Sequence, residues 1–414
     1  MYYLKLFDED LISFDMYRDY ELRIDKIKVL SQNKKIFPIN LQKEVNSYEI
    51  LNFINSRTIP KNRSFVNTIL ESAGLNLNDK KGIIDISKGL SLTDSYWIVQ
   101  DNSLKFKDYN LFDNDFSEVL SLISFTGYGE KIKELITSPE FTTNGMLPKG
   151  WRRINNEIYL YKGGTDNTIA SNAGYEPYSE YYASQIERTM NLDHVNYDLD
   201  KWNGILASTC KLFTSKDISF VPIYSIIKDF TLDSVYETIK KYHLENKFAD
   251  MILLDALTLN PDRHFGNFGV LRNNHSGEII DLTPLFDNGE SLLALGDLDA
   301  FNDKQKFEKY INAPKNNYSF FGTSFDDLVV YFCNKDQIKK LNKLYNFNFE
   351  KHSKYNLSDN RLELLSMMIR ERAIHLVNVI ENSESIKNKT KMSKDENKEQ
   401  SNSLSNEDEE EDER

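Results

Sequence analysis

Cysteine is scarce: 414 residues hold two, Cys210 and Cys333, and neither sits in a CxxC pair. Two thiols cannot build a disulfide framework, which excludes a stapled secreted scaffold. The six histidines (His194, His243, His264, His275, His352 and His375) show no metal-ligand spacing with one another or with cysteine, so no zinc motif is present. No run reaches the ~18 uncharged apolar residues of a spanning helix. Met1–Asp10 carries acids where a signal peptide would hold its apolar stretch. These absences predict a cytoplasmic protein, neither secreted nor inserted in a membrane. A long basic run is also missing, and net charge is −13. Residues 381–414 hold twelve acids and six bases, so six of the thirteen negative charges lie in the tail and seven in the body. A body of that sign repels phosphate backbones, and direct nucleic-acid binding is not expected. There is no Walker A loop, and no G-x-G-x-x-G to suggest a dinucleotide fold.

What is present is core material. Twenty-three Tyr and 25 Phe suffice for cores without disulfides or metals, and at about 150 residues per domain the length predicts two or three domains. Residues 382–414 are Ser, Asn, Lys and Glu, ending Glu407-Asp-Glu-Glu-Glu-Asp-Glu-Arg414. They cannot bury enough surface to offset their ordering entropy and are expected to be a disordered, solvated acidic tail. Before them, Leu362, Leu365, Met368, Ile369, Ala373 and Val377 are spaced for a buried closing helix.

Residues 1–135 mix helix and strand signals: a helix over 60–74 stopped by Gly74, a strand over 91–99 and a helix over 115–123. They hold no catalytic constellation and are expected to form a separate α+β region, bounded somewhere in 126–139. From there the texture changes. Residues 142–151 are turn-rich, 157–164 read as a strand ending in two glycines, 178–192 as a helix with Tyr182, Ile186 and Met190 four apart, and 194–199 and 204–213 as further strands. After 225 the pattern is mostly helical (232–242, 247–259, 325–345), interrupted by a hairpin over 267–286 that turns at 273–277. A β-rich piece followed by an α-rich piece predicts two lobes with a cleft between them.

The strongest chemical segment is Asn260-Pro-Asp-Arg-His-Phe-Gly-Asn267, between a helix and a strand. Asp262 and Asn267 are five apart, the interval at which kinase-type phosphotransferases set a base and a metal-holding amide. One carboxylate must orient and deprotonate the attacking hydroxyl, and a neighbouring oxygen must hold Mg²⁺, which wants hard donors. The rival reading is a polar turn with Asp262 bonding its own backbone. After the hairpin, Phe286-Asp287 with Gly289 close behind offers a second carboxylate at a strand end; Asp281 competes by residue type but lies inside the strand. Lys162, ending the strand 157–162, suits a phosphate-neutralising lysine. Glu180 early in the next helix, or Glu176, could pair with it. For each of these charges a solvated surface position is the plainer alternative. Thr142-Thr-Asn-Gly145 through Lys149-Gly150 could cover phosphates with backbone N–H groups.

Through Asp262-Arg-His-Phe-Gly-Asn267, Thr283-Pro-Leu-Phe-Asp287, Tyr161-Lys162 and Glu176-Pro-Tyr-Ser-Glu180, the chain resembles the HipA-like serine/threonine kinases, a bacterial branch of the kinase superfamily. The likeness spans roughly 140–380, and residues 1–135 do not resemble the usual N-terminal region of that family's founding persistence toxin. It implies an α+β, bilobal protein-kinase-like fold with an additional N-terminal α+β region (1–135), a nucleotide-binding N-lobe (136–225), a helical C-lobe (226–381) and the disordered tail (382–414). It implies ATP and Mg²⁺ as cofactors, Asp262 as catalytic base, and Asn267 and Asp287 as metal ligands. Lys162 would bind the α/β phosphates and Glu180 would position it. Residues Thr142, Thr143, Gly145 and Lys149 would belong to the phosphate-covering loop, and the hinge that meets adenine would run from Cys210 through Lys211 to Phe213. The implied partner is a protein substrate, with an antitoxin or regulatory protein if the chain is the toxin of a toxin–antitoxin pair. Family members autophosphorylate a hydroxyl of the phosphate loop, for which Thr142 and Thr143 are the candidates. Arg263 and His264 are read as braces of the loop. A small-molecule or lipid kinase, and a nucleotide-binding pseudokinase, are the alternatives.

Overall fold

Alternating apolar residues open the chain as strands β1 (Tyr2–Leu6), β2 (Glu9–Arg18) and β3 (Leu22–Val29). The computed structural model describes residues 1–18, 21–132, 137–166 and 173–411, with side chains up to 385. Helices α1 (Ile39–Lys43), α2 (Ser47–Ser56), α3 (Val66–Ser72) and α4 (Lys80–Ser87) follow, then β4 (Tyr96–Val99) and α5 (Glu118–Thr126). The first sheet is antiparallel in the order β3-β2-β1-β4. The sequence windows for α3 and β4 were too long: Phe65 takes a left-handed conformation that delays α3 to Val66, and pairing with β1 begins only at Tyr96.

The second sheet, β5 (Lys149–Ile154), β6 (Glu157–Lys162), β7 (Tyr197–Trp202) and β8 (Ile205–Lys211), is antiparallel in the order β5-β6-β8-β7. Helix α6 (Glu176–Met190) packs on β7 and β8, with Tyr182, Ile186 and Met190 fully buried, as their spacing predicts. Helix α5 lies along β5, and its Phe125 stacks on Trp202 with ring centroids 5.0 Å apart. A side chain at Gly150 would come within 2.6 Å of the Ser121 carbonyl, so glycine lets helix and strand touch. Residues 149–151, expected in a turn, thus start a strand.

The third sheet, β9 (Ile218–Pro222), β10 (Gly269–Asn273) and β11 (Ile279–Leu282), runs in the order β11-β10-β9 and contains the expected hairpin. Around it stand α7 (Leu232–Lys241), α8 (Glu245–Thr258), α9 (Lys304–Ile311), α10 (Phe325–Phe332), α11 (Lys335–Leu341) and α12 (Asp359–Glu411). Their apolar faces form the largest core. The single helix expected over 325–345 is two helices. Asn334 caps α11 and exchanges hydrogen bonds with Gln337, a capping box that ends α10 at Phe332. Helix α12 runs to Glu411. The last three residues lie outside the described ones, as do 133–136 within the expected boundary. No helix among the described residues is long and apolar enough to cross a membrane.

The N-terminal region touches both later parts. Buried Arg272 on β10 donates to Tyr96 Oη at 2.6 Å, to the Phe37 carbonyl at 3.1 Å and to the Lys35 carbonyl. Phe220 N donates to the Thr93 carbonyl at 2.9 Å, and Ser95 Oγ to the Lys216 carbonyl at 2.7 Å.

Candidate active site

Helix α8 is buried on nearly every face from Phe248 to Thr258. A carboxylate there needs a partner. Asp255 has Arg263, whose Nε and Nη2 approach it at 2.9–3.3 Å. Leu259 adopts a left-handed conformation (φ 54°), ends the helix and turns the chain into Asn260–Asn267. That turn bonds itself: Asp262 N donates to Asn260 Oδ1 (3.1 Å), Asn267 Nδ2 to the Asp262 carbonyl (2.9 Å), and Gly266 N to His264 Nδ1 (3.0 Å). Asn267 thereby leaves its Oδ1 as the acceptor end, and the Asp262 carboxylate takes no part in the bonds that hold the turn.

Arg263 then reaches forward, donating through Nη1 to the carbonyls of Asn267 (3.0 Å) and Phe286 (2.5 Å) and through Nη2 to Asn288 Oδ1 (2.7 Å). It fixes the 260–267 turn against the segment that leaves β11. Leu285 bonds the 193–195 backbone on both sides, with N to the Asp193 carbonyl and O from Val195 N, each at 2.9 Å. Asp287 follows with φ 58°, a left-handed conformation that a non-glycine residue holds only where its surroundings fix it. Its N donates to Tyr197 Oη at 3.2 Å, and Asn288 N to Glu180 Oε2 at 2.8 Å.

Lys162, at the end of β6, lies between Glu180 Oε1 (2.9 Å) and Asp287 Oδ1. Burial works against its charge, but the two carboxylates outweigh burial and keep it protonated. Burial also works to raise Asp287; the Lys162 and Lys149 ammoniums overcome that and hold it down at about 2. Asp262 goes the other way, pushed up by burial and by the Asp287 charge against the pull of His264. Glu290 rises to about 7, through burial and then the charges of Asp262, Glu176 and Asp287. The charges of Asp262, Glu176 and Asp287 thus all act on Glu290. Among the described residues no three His, Cys, Asp or Glu side chains form a ready-made metal cage. The Asp287 carboxylate and Asn267 Oδ1 are nonetheless hard oxygens of the kind Mg²⁺ takes with phosphate and water completing its shell, so the donor set fits that ion.

The remaining sequence candidates divide. Lys149 stands opposite Lys162 across β5 and β6; its ammonium bonds the Asn144 carbonyl at 2.9 Å, and burial with the charges of Arg63 and Lys162 lowers it to about 7. Gly145 has φ 92°, and a side chain there would collide with the Lys149 ammonium. The two threonines are turned away. Buried Thr142 Oγ1 donates to the Leu90 (3.0 Å) and Pro139 (3.2 Å) carbonyls; Thr143 Oγ1 donates to the Pro139 carbonyl (2.7 Å) and accepts from Trp151 Nε1 (2.9 Å). Their hydroxyls, the candidates for autophosphorylation, are engaged with neighbouring protein. Lys211 also departs from expectation. Strand alternation sends it outward to Glu157, while the neighbouring Cys210 points inward, buried and with its thiol pushed up to about 12 by burial and the Glu180 charge. Phe213 packs on Phe286 and Phe220 at 5.4 and 5.9 Å. Glu176 serves Thr165, not Lys162. Sequence reasoning missed Tyr197, Asn288, Glu187 (which accepts from Asn288 Nδ2 at 3.1 Å) and Asp255. Only Asp255 carried a signal, the single acid within the apolar run 251–257.

No family model matches the chain. Over 265 residues, 54% of this chain and 79% of the relative, it is 27% identical to the serine/threonine-protein kinase CtkA of Helicobacter pylori. The crystal structure of the H. pylori proinflammatory kinase CtkA aligns over 58% of this chain and 95% of that one, with 24% identity and a TM-score of 0.46. HipA of Shewanella oneidensis MR-1, solved with HipB and operator DNA, aligns over 92% of this chain and 99% of its own, with 10% identity and a TM-score of 0.53. That extent takes in most of the N-terminal region, so this part has a counterpart of fold that its motifs did not reveal. The chain is thus related in sequence to CtkA and shares its fold with HipA, which supports the resemblance to the HipA-like kinases.

Proposed function

We propose that the chain transfers the γ-phosphoryl group of ATP, with Mg²⁺, to a serine or threonine hydroxyl of a protein. The observation that carries this reading is Lys162 held between Glu180 and Asp287, with the Asp262–Asn267 turn braced against the same segment by Arg263. Lys162 neutralises the α/β phosphates, Glu180 keeps its ammonium in place, and Lys149 and the main chain of 142–148 cover the phosphates. Asp262 accepts the proton of the attacking hydroxyl. Asn267 and Asp287 hold Mg²⁺, which when bound offsets charge on the phosphate oxygens. Residues 136–225 act as the nucleotide lobe and 226–381 as the catalytic lobe, with Phe213 beside the adenine. The name of the CtkA relative supports a protein acceptor. The HipB in the HipA structure supports a protein partner for a toxin-like role, and net charge −13 disfavours direct contact with nucleic acid.

Label transfer from γ-³²P-ATP tests the reading. Wild type is expected to label a protein acceptor, and chelation by EDTA or Asp287→Ala to stop it. Label found only in small hydroxyl compounds, or undiminished in Asp287→Ala, overturns it. The pH profile is a separate check. The base must be ionised, and its carboxyl is raised above the ordinary 3.8. Activity should therefore fall, as pH drops, at a higher pH than an unperturbed aspartate gives. A kcat/KM profile still flat at about pH 4 would remove Asp262 from the role.

A further inference from the structure

Residues 141–148 run between Glu140 and Lys149, and the N-terminal region grips this loop at its base and along its length. Glu140 is fully buried. Its Oε2 accepts from Arg63 Nη2 (3.2 Å) and Ser124 Oγ (2.7 Å), and its Oε1 from Trp151 N (2.8 Å) on β5. Arg63 Nη2 and Ser124 Oγ also donate to the Lys149 carbonyl, each at 2.8 Å. The residue before the loop and the residue after it are thus tied to one guanidinium from outside both lobes. Further along, Ser64 N and Oγ donate to the Met146 carbonyl at 2.9 and 2.7 Å, and the Leu90 carbonyl accepts from Thr142.

We propose that Arg63 and Ser64 are positioning residues for nucleotide binding: the N-terminal region sets the shape of the phosphate-covering loop and so forms part of the nucleotide site. This rests on the kinase reading above, because it assigns the loop to phosphate. The physical argument is that main-chain N–H groups bind an anion only when they converge. The loop lacks the run of glycines that would let it wrap a phosphate unaided, so its path has to be imposed from outside. Arg63 serves that purpose at a cost. It is almost fully buried, and its Nε and Nη1 have no partner among the described residues. An arginine kept only for stability would be better replaced by an apolar side chain. The grip also reaches Lys162, since Lys149 is its register partner and a shift of β5 shifts the strand that carries it.

The test compares wild type, Asp262→Asn, Arg63→Met/Glu140→Gln and Ser64→Ala. The double variant leaves no buried charge stranded, and Ser64→Ala removes one hydroxyl bond from a half-buried side chain. Three quantities are read: affinity for a fluorescent ATP analogue with Mg²⁺, KM against kcat for ATP, and melting temperature. The double variant should weaken nucleotide binding and raise KM by about tenfold, with kcat at saturation within about threefold, and Ser64→Ala should raise KM about two- to fivefold with unchanged melting. Arg63→Lys, which keeps a donor for the Lys149 carbonyl, should recover part of the KM. A merely structural role would lower melting and leave KM and affinity of the folded protein unchanged, and that result overturns the proposal. If the double variant does not fold, Ser64→Ala decides: an unaltered KM rejects the assignment. Asp262→Asn should bind nucleotide like wild type, which separates binding from turnover. If wild type binds no nucleotide, the kinase reading falls and takes this proposal with it; if wild type turns over ATP and the variants match it, only this proposal falls.

Discussion

Asp262→Asn is expected to slow phosphoryl transfer by about 10²–10⁴-fold while leaving nucleotide affinity and the folded turn intact. The substitution keeps the shape of the side chain and removes its capacity to take a proton. The turn does not depend on the carboxylate: it is held by the Asp262 main chain, by Asn260 and by the Asn267 amide. Burial disfavours the charged form of Asp262, so removing that charge should leave melting unchanged or raise it slightly. Single-turnover label transfer at saturating ATP measures the effect. A rate within about twofold of wild type would show that another group is the base.

The second large effect is structural. Arg263→Ala should cost about 3–5 kcal/mol, because it strands the Asp255 carboxylate inside α8 without a counter-charge. It also strips the carbonyls of Asn267 and Phe286 and the Asn288 side chain of their donor. Denaturant titration reads the loss. Lysine should not rescue it, since an ammonium cannot span Asp255 and the Phe286 carbonyl as the planar fork does. A loss below about 1 kcal/mol would mean that the 260–267 turn and the 286–288 segment are joined by something other than Arg263.

Which side chains come together was largely legible before any coordinates. The interval from Asp262 to Asn267, the aspartate after a hairpin, and a strand-end lysine followed by a helix glutamate are local patterns, and the fold brings Lys162, Glu180 and Asp287 into contact. What stayed hidden depends on distance or direction. Asn288 bonds Glu180 and Glu187 more than a hundred residues away, and no local pattern chooses such partners. The directions of Thr142 and Thr143 follow from the path of the main chain at Pro139 and from contact with Leu90. Lys211 was within reach, because alternation along β8 puts it on the face opposite Cys210. The break between α10 and α11 was legible too, in Asn334-x-x-Gln337, but the apolar periodicity on either side masked it. The grip of residues 63–64 on the loop left no trace in the sequence, since a buried arginine and a surface one are the same letter.

The Arg272 contact has a consequence for how the chain is made. The hydroxyl of Tyr96 leaves the ribosome 176 residues ahead of the guanidinium that will bond it, and the Lys35 carbonyl 237 residues ahead. At about 5–20 residues per second, Tyr96 stays hydrated for roughly 10–35 s after synthesis. The first sheet can pair its strands as it emerges, but its outward docking face must remain open until β10 arrives. A newborn N-terminal half therefore presents a ready surface with nothing yet to cover it, and that interval is when a chaperone has the most to hold.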